Sequence, residues 1–580
     1  MSWRDLRCGE PRPEHEGREV TLAGWAARRR DHGGLVFIDL RDESGVTQLV
    51  LNPEHAPPAT EVAHGVRNEF VLQARGIVVR RSAETVNPKM ATGEVEVQVE
   101  ELTVLSASTP LPFQLDEDNV DEALRMKYRW LDLRREHMQR NIRVRAQLVR
   151  IIREEMEGDG FVDIETPMLW KPTPEGARDF VVPSRLQPGK FYALPQSPQI
   201  AKQLLVISGF ERYYQIARCM RDEDPRADRL QELTQLDVEL AFPDREVIFA
   251  LMERIVTRIW RECIGVELGA PFQRMTYDEA ILRFGIDRPD LRFGMEIQDV
   301  TAGTRDSEFG VFANAETVRY IAVPKELSRT EVQALENQAK SWGAKGLAYV
   351  VFRADGDVSS PIAKFLAPEL LERWREPGHT LLFGAGEPRL VAKVLGLLRL
   401  QLGRELGLVD ESLWKFLWVV DMPAAEWDEQ AERWIAAHHP FTRPTDDSIE
   451  IFKTDPGAAR AVAYDLVGNG IELAGGSFRI HEPWLQQQVF ENLGIGADEQ
   501  REKFGFLLDA LAMGAPPHGG IASGIDRLTM ALLGEQFIRD TQAFPKNQAG
   551  YDYMTEAPIE LSEEQLEELG LGVVVEADVT

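Results

Sequence analysis

Tyr214-Gln-Ile-Ala-Arg-Cys-Met-Arg221-Asp-Glu223-Asp and, after a charged loop, Thr234-Gln235-Leu-Asp237-Val-Glu239 are the stretches that decide how this chain folds. Apolar and polar residues alternate through them, the two-residue period of strands that bury one face. Two long strands joined by a short charged loop form a hairpin, and hairpins build antiparallel sheets. Outward from this pair, Arg135–Glu157 reads as a helix, with Leu148, Ile151, Ile152 and Met156 at helical spacing and Gly158 and Gly160 ending the run. Phe161–Glu165 and Arg178–Val182 read as further strands. Helix and strand alternate irregularly, which points to an α+β antiparallel sheet rather than a doubly wound one. Neither G-x-G-x-x-G nor G-x-x-x-x-G-K-[ST] follows a strand, so Rossmann and P-loop nucleotide sites have no support.

Before this sheet, apolar runs at 20–25, 35–40, 46–51, 70–79 and 95–105 are separated by turn signals such as Glu43-Ser44-Gly45. Five short strands in so small a module suit an OB-type barrel, whose face binds oligonucleotides, and strand periodicity alone suits an SH3-like barrel equally. A polar, proline-containing stretch then reads as a hinge. Beyond the sheet, a polar helix (Arg329–Trp342), an apolar strand (Leu347–Phe352), a strand at Leu381–Phe383 and an amphipathic helix with Leu390, Val394, Leu397 and Leu398 read as an inserted α/β domain. The strand-rich style returns from Trp414 through Leu417–Asp421 and Ile471–Ile480 to a helix near Gly524. The expected domain limits are 1–108 for the barrel, 109–134 for the hinge, 135–288 and 411–580 for the two parts of the interrupted sheet domain, and 289–410 for the insert.

The 580 residues are 43% hydrophobic and 28% charged, ordinary globular values that argue against disorder and collagen. No apolar run reaches the length of a transmembrane helix, and the charged start Met-Ser-Trp-Arg-Asp-Leu-Arg does not resemble a signal peptide. Three widely spaced cysteines (Cys8, Cys219, Cys263) offer no zinc-ligand pairing. A reduced, cytoplasmic protein with no zinc and no membrane partner is expected. The net charge of −29 argues against a chain held to nucleic acid by bulk electrostatics. The local distribution says more: Arg28-Arg29-Arg30 cluster near the start, and the tail after Met554 is acidic.

A third segment, Gly519-Gly520-Ile-Ala-Ser-Gly524-Ile-Asp526-Arg527-Leu, places small residues and an Arg at a helix start, where backbone and guanidinium can approach phosphates. Gly160-Phe-Val-Asp-Ile-Glu-Thr-Pro167, the hairpin and this segment are each commonplace alone: a proline at a strand end, a solvated charge ladder, a small-residue turn. In this order and spacing they resemble the three signature motifs of class II aminoacyl-tRNA synthetases. Longer strings narrow the resemblance to the bacterial-type aspartyl members: Tyr128-Arg-Trp-Leu-Asp-Leu-Arg134, Thr173-Pro-Glu-Gly-Ala-Arg-Asp179, Ala193-Leu-Pro-Gln-Ser-Pro-Gln199, His438-His-Pro-Phe-Thr442, Gly475-Gly-Ser-Phe-Arg-Ile-His481 and the closing Ala543-Phe-Pro-Lys546 and Met554-Thr-Glu-Ala-Pro558.

The resemblance implies ligation of L-aspartate to tRNA(Asp) through an aspartyl-adenylate made from ATP, by a homodimer with Pro167 at the subunit interface. Arg221 would clamp the α-phosphate and Arg527 the γ-phosphate end, with Glu223 as a further catalytic candidate. Asp222, Gly524, Ile525 and Asp526 would complete the ATP site, and Asp465 and Glu472 would hold Mg²⁺. For aspartate, Arg479 would grip the side-chain carboxylate bidentately. Lys202 would add a second cation, and His438 or His439 a third once aspartate binds. Glu175, Ser197, Gln199 and Asp237 would surround the α-ammonium. In the barrel, Arg30, His32, Phe37, Gln48 and Glu96 fall at anticodon-reading positions. Periodicity alone would call Phe37 core and would leave Arg28–Arg30 a solvated run.

Departures from the family pattern stand at Leu230, Gln231 and Leu233, where relatives carry Gln-Pro-Glu-Phe-like residues around the adenine, and at Ser523 and Ala474 in place of a bulky residue and a Gly. His32 stands where many strictly tRNA(Asp)-specific relatives carry Leu, which leans the reading toward tRNA(Asn) as a second substrate. Two alternatives remain at this stage. A non-catalytic RNA-binding paralogue is opposed by the presence of Arg221, Arg527 and Glu472; an asparaginyl-type ligase is opposed by Arg479 with Lys202.

Overall fold

A computed structural model describes residues 3–172, 177–429 and 431–573. The chain divides into two compact units, 1–124 and 125–580.

The first unit is a closed five-stranded barrel in the order Glu19–His32, Leu35–Asp42, Gly45–Leu51, Val95–Ser106, Val71–Arg80. The helix Pro57–Gly65 lies between the third and fourth strands in sequence. Val20, Leu22, Val36, Ile38, Leu40 and Leu49 alternate inward and are fully buried, so the period-2 pattern closes around its own core. The first strand does not keep that period. Ala26 pairs with Leu40 but Arg28 pairs with Asp39, so Ala27 is an extra residue, a β-bulge. Beyond the bulge the faces exchange, and Arg28 and Arg30 stand on the outer face across from Asp39 and Phe37.

The second unit centres on an eight-stranded sheet. Its order is Gln273–Thr276, Phe416–Val420, Ala463–Gly468, Ile471–Phe478, His518–Gly524, Glu232–Ala241, Arg212–Met220, Val162–Asp163. The outermost pair at each end is parallel and the rest are antiparallel. The hairpin read from sequence sits inside it, with Asp237 opposite Gln215. Only Val162–Asp163 of the expected Phe161–Glu165 strand, and Val181–Pro183 in place of Arg178–Val182, are strand. One face of the sheet packs on the helices Glu136–Gly158, Arg245–Ile264 and Ile525–Leu533 through a large cluster that includes Leu148, Ile152, Val238, Trp260, Trp418 and Ile521. The other face carries the cavity described below.

Between Gln273–Thr276 and Phe416–Val420 the chain builds a separate five-stranded sheet, antiparallel throughout, with apolar clusters of its own. Its last helix, Pro388–Glu405, lies tight against the turn after the helix Tyr277–Phe284: a Cβ on Gly285 would meet the Ala392 carbonyl at 2.1 Å. The buried Arg399 bridges the same joint, donating to the carbonyls of Asp290, Phe293 and Gly294. Among the described residues no helix is long and apolar enough to cross a membrane.

Candidate functional site

Along Glu232–Ala241, Leu236, Val238 and Leu240 enter the core. Leu233, Gln235 and Asp237 point the other way and line a cavity of about 580 Å³. On the same face Glu239 is wholly buried. A carboxylate taken out of water needs partners, and two cations supply them. Lys202, from the helix Gln199–Ile207, places Nζ 2.5 Å from Asp237 Oδ1 and 3.3 Å from Glu239 Oε2. Arg479 donates from Nε and Nη2 to the two Glu239 oxygens at 3.0 and 3.1 Å.

The expected pair of cations comes with two carboxylates of its own. Lys202 and Arg479 are matched by Asp237 and Glu239, and Glu239 already occupies the Nε/Nη2 edge of the guanidinium. Arg479 Nη1 donates to Ser477 Oγ and, at 2.6 Å, to His439 Nε2. His439 is therefore the neutral tautomer with its proton on Nδ1. Burial and then Arg479 hold its pKa well below the ordinary value, and the same two causes push His438 down to about 4. Asp237 Oδ2 and Gln199 Nε2 are buried and have no hydrogen-bond partner among the described residues. Ser197 Oγ accepts from the Gln199 amide at 3.2 Å, and both residues line the cavity.

Toward the hairpin loop, Arg221 lines the cavity, its Nε 3.4 Å from the Gln196 carbonyl. Glu223 is bonded by Arg229 at 2.7 Å, and Asp222 stands 3.7 Å from Arg178. Leu233 and Leu230 both line the cavity, and Leu230 is also packed against Met530 and Ile538. Arg527 also lines the cavity and donates to the Glu472 carbonyl at 3.2 Å. Two of the expected ATP-site residues also serve the fold, and Asp526 lines the cavity as well. Ile525 has its side chain in the core. Asp526 accepts from the Thr234 amide, Arg145 and Gln542 at 2.7–2.9 Å, so its carboxylate braces motif 3 against the hairpin.

Asp465 and Glu472 meet over Gly475, where a Cβ would lie 2.9 Å from Asp465 Oδ1 and 3.6 Å from Glu472 Oε1. A second bulge makes this possible: Leu466 pairs with Ala474 but Val467 pairs with Glu472, leaving Leu473 extra. Burial, with Glu472 and Asp287 nearby, pushes Asp465 well above the usual carboxylate range. Among the described residues no group of three His, Cys, Asp or Glu has metal-site geometry. Two carboxylates suit Mg²⁺, which takes few protein ligands alongside phosphate oxygens.

In the barrel, Arg30 donates to Asp39 at 2.8 Å and to Gln48 at 3.3 Å, and Gln48 donates to Glu96 at 3.2 Å. Phe37 is half-buried on this outer face rather than in the core. His32 is exposed at the hairpin tip, before Gly33 and Gly34, both in the left-handed region. Pro167 is exposed just past the edge strand. Glu175 lies outside the described residues. Sequence reasoning gave no role to Glu239, Ser477, Tyr277 or Asp287. Glu239 had a readable signal, a second carboxylate two residues from Asp237 and so on the same face of the strand. Tyr277 and Asp287 reach the cavity only through the fold.

Comparison with known proteins agrees with this geometry. The family described as tRNA synthetases class II (D, K and N) matches residues 121–548, and the OB-fold nucleic acid binding domain matches residues 20–105. A protein of Syntrophotalea carbinolica named aspartate–tRNA(Asp/Asn) ligase is 50% identical over 579 residues, covering 97% of each chain. One of Staphylococcus epidermidis named aspartate–tRNA ligase is 48% identical over 587 residues, covering 99% of this chain and 100% of that one. Among solved structures, an asparaginyl-tRNA synthetase of Pyrococcus horikoshii complexed with asparaginyl-adenylate shares the fold, with TM-score 0.62 and 20% identity over 94% of this chain and 98% of that one. Matches at half identity over nearly the whole length, on a chain whose second and third motifs converge on one cavity, mean that it belongs to the class II aminoacyl-tRNA synthetases and, within them, to the bacterial-type aspartate–tRNA ligases.

Proposed function

We propose that the cavity seats L-aspartate over Asp237 and Arg479 and ATP toward the Arg221–Leu233 loop, and that this chain loads aspartate on both tRNA(Asp) and tRNA(Asn). The buried Lys202–Asp237–Glu239–Arg479 network carries the aspartate reading. Asp237 Oδ2, buried and without a partner among the described residues, suits an α-ammonium donor, and Gln199 Nε2 suits a carboxylate acceptor. The substrate's side-chain carboxylate meets Arg479 on its Nη1/Nη2 edge, taking Nη1 over from Ser477 and His439, and draws a proton from solvent onto the His439 Nε2 so released or onto His438. An asparagine amide draws none, so selectivity comes from a charge the pocket acquires with its own substrate.

The α-carboxylate is ionised at neutral pH. One of its oxygens attacks the α-phosphorus while the bond to the bridging oxygen of pyrophosphate breaks, and no general base is needed. Arg221 stabilises charge at the α-phosphate and Arg527 at the far end of ATP. Glu223, tied to Arg229, fixes the loop over the nucleotide. Mg²⁺ held by Asp465 and Glu472 neutralises phosphate charge when it is bound.

The anticodon is read on the barrel face of Arg30, Phe37, Gln48 and Glu96, with His32 at its rim. Relatives at similar identity are named for tRNA(Asp/Asn) or for tRNA alone, and the polar imidazole of His32 favours the relaxed reading. The chain works in the cytoplasm as a homodimer that covers the sheet edge beside Pro167, where Met168 and Leu169 are 38% and 51% exposed. Sedimentation velocity is expected to give the dimer. The domain limits of 1–108, 109–134, 135–288, 289–410 and 411–580 belong to the same proposal, supported by separate apolar clusters in the barrel, the large sheet and the insert. The deciding experiment is aspartate-dependent ATP–pyrophosphate exchange followed by charging of purified tRNA(Asp) and tRNA(Asn). Charging of tRNA(Asp) alone removes the relaxed reading, and no exchange removes the site assignment.

A further inference from the structure

Two adjacent carbonyls at the bulge in Ile471–Phe478 are both held by motif 3. The Ser523 hydroxyl donates to the Leu473 carbonyl at 2.9 Å, and Arg527 Nη1 donates to the Glu472 carbonyl at 3.2 Å. Leu473 is the extra residue of the bulge, and a bulge residue loses its place in the hydrogen-bond ladder. With Leu473 at 2% exposure its carbonyl needs a donor inside the protein, and Ser523, at 1% exposure, stands within reach. Ser523 pairs across the sheet with Ala474, the final rung between these two strands, so its hydroxyl reaches one residue past the end of the ladder.

The bulge decides where Glu472 goes. Counting back by twos from Ser477 and Gly475, which share a face with Asp465, regular alternation would turn Leu473 to the cavity and Glu472 into the apolar layer. Instead the Leu473 side chain joins the core, and the Glu472 carboxylate lies beside Asp465 over Gly475.

We propose that Ser523 is a positioning residue whose hydroxyl locks the bulge at Leu473 and so aims the Glu472 carboxylate at the divalent cation that accompanies ATP. This rests on the reading of Asp465 and Glu472 as the cation's ligands. Ser523 touches neither substrate nor cation. Alanine at this position leaves the Leu473 carbonyl buried without a donor and lets the strand relax toward regular pairing, which turns Glu472 away. Threonine keeps the hydroxyl.

The test titrates Mn²⁺ into the full-length parent and the Ser523→Ala, Ser523→Thr and Glu472→Gln proteins, following the free-ion paramagnetic resonance signal; sites lost in Glu472→Gln identify the relevant one. Ser523→Ala is expected to weaken Mn²⁺ at that site about tenfold, the scale of a lost outer-sphere partner, and to raise the metal needed for half-maximal pyrophosphate exchange in parallel. The aspartate KM should change by less than about twofold, because the substrate's own contacts stay in place. Ser523→Thr should match the parent in both readouts. Parental Mn²⁺ binding by Ser523→Ala, with weakened binding by Glu472→Gln, overturns the role of Ser523. Parental binding by Glu472→Gln overturns the ligand reading instead. A uniform loss across metal binding, KM and kcat that threonine does not rescue marks a merely structural serine and also overturns the proposal. Should Ser523→Ala not fold, Ser523→Cys, with a weaker donor, carries the same comparison.

Discussion

Arg479 is engaged by a carboxylate before any substrate arrives, and this changes what its removal does. On the proposed seating of aspartate, Arg479→Leu takes away the partner of the substrate carboxylate, a loss of about 2–5 kcal/mol for a buried charge pair. Aspartate-dependent exchange is expected to fall more than about a hundredfold on that scale. It also strands Glu239, which is wholly buried, and an uncompensated buried charge destabilises by about 3–5 kcal/mol. Adding Glu239→Gln should therefore restore much of the unfolding midpoint without restoring exchange. Recovery of activity in the double variant would show that Arg479 serves Glu239 rather than aspartate. Leu233 is the other telling residue. It lines the cavity from the hairpin, across from Cys219, and offers an aliphatic face where an aromatic ring would stack on adenine. Stacking is worth about 1–3 kcal/mol per base. On the proposed seating of ATP, Arg221 and Arg527 hold the phosphates rather than the base, so Leu233→Phe should lower the ATP KM several-fold and leave kcat nearly unchanged. A constant KM would mean that Leu233 does not face adenine.

Two strand irregularities aim the chemistry at the level of elements. The bulge at Ala27 moves Arg28 and Arg30 to the outer face of the barrel, and the bulge at Leu473 moves Glu472 to the cavity. The first has a direct consequence for function. Arg30 joins Asp39, Gln48 and Glu96 in one hydrogen-bonded row, so an Arg30→Ala change disturbs that row and leaves the cavity, which belongs to the other unit, untouched. Charging of tRNA should fall while pyrophosphate exchange without tRNA stays at the parental rate. Loss of both would mean that the substitution acts by unfolding the barrel. The departures at Ala474 and Ser523 also meet at this scale. They are cross-strand partners, so they form one altered rung rather than two separate defects.

For the whole molecule, the buried polar core of the cavity ties stability to pH. The pKa of His438 lies near 4 in the folded protein against an ordinary 6.5, owing to burial and Arg479, and His439 and His518 are lowered for the same leading reason. A histidine depressed in this way binds fewer protons folded than unfolded between those two values. Its contribution is complete above pH 6.5 and is lost as pH falls toward 4. Asp465 opposes this, because a carboxyl raised in the folded state favours folding as pH falls. The comparison that isolates the histidine is parent against His438→Asn: the parent should lose more of its unfolding midpoint between neutral and mildly acidic pH. Equal losses would show that His438 titrates normally.

By itself the sequence determined the family, the order of the motifs and most of the strands, since these follow from local alternation and from residue strings that the chain carries wherever it folds. It also placed Asp237, Lys202, Arg221 and Arg527 in one site. Tertiary structure alone decided how those groups are used. Glu239 and Arg479 are 240 residues apart, and their pairing exists only because the strand bearing Glu239 and the one ending at Phe478 flank the same inner strand of the sheet. Nothing in the local pattern announces that Asp526 is consumed by Thr234, Arg145 and Gln542. The bulges are hidden for a related reason. Period-2 reading assumes an unbroken ladder, and one extra residue exchanges the faces of everything beyond it, so the aim of Arg30 and of Glu472 was settled only when neighbouring strands fixed the register.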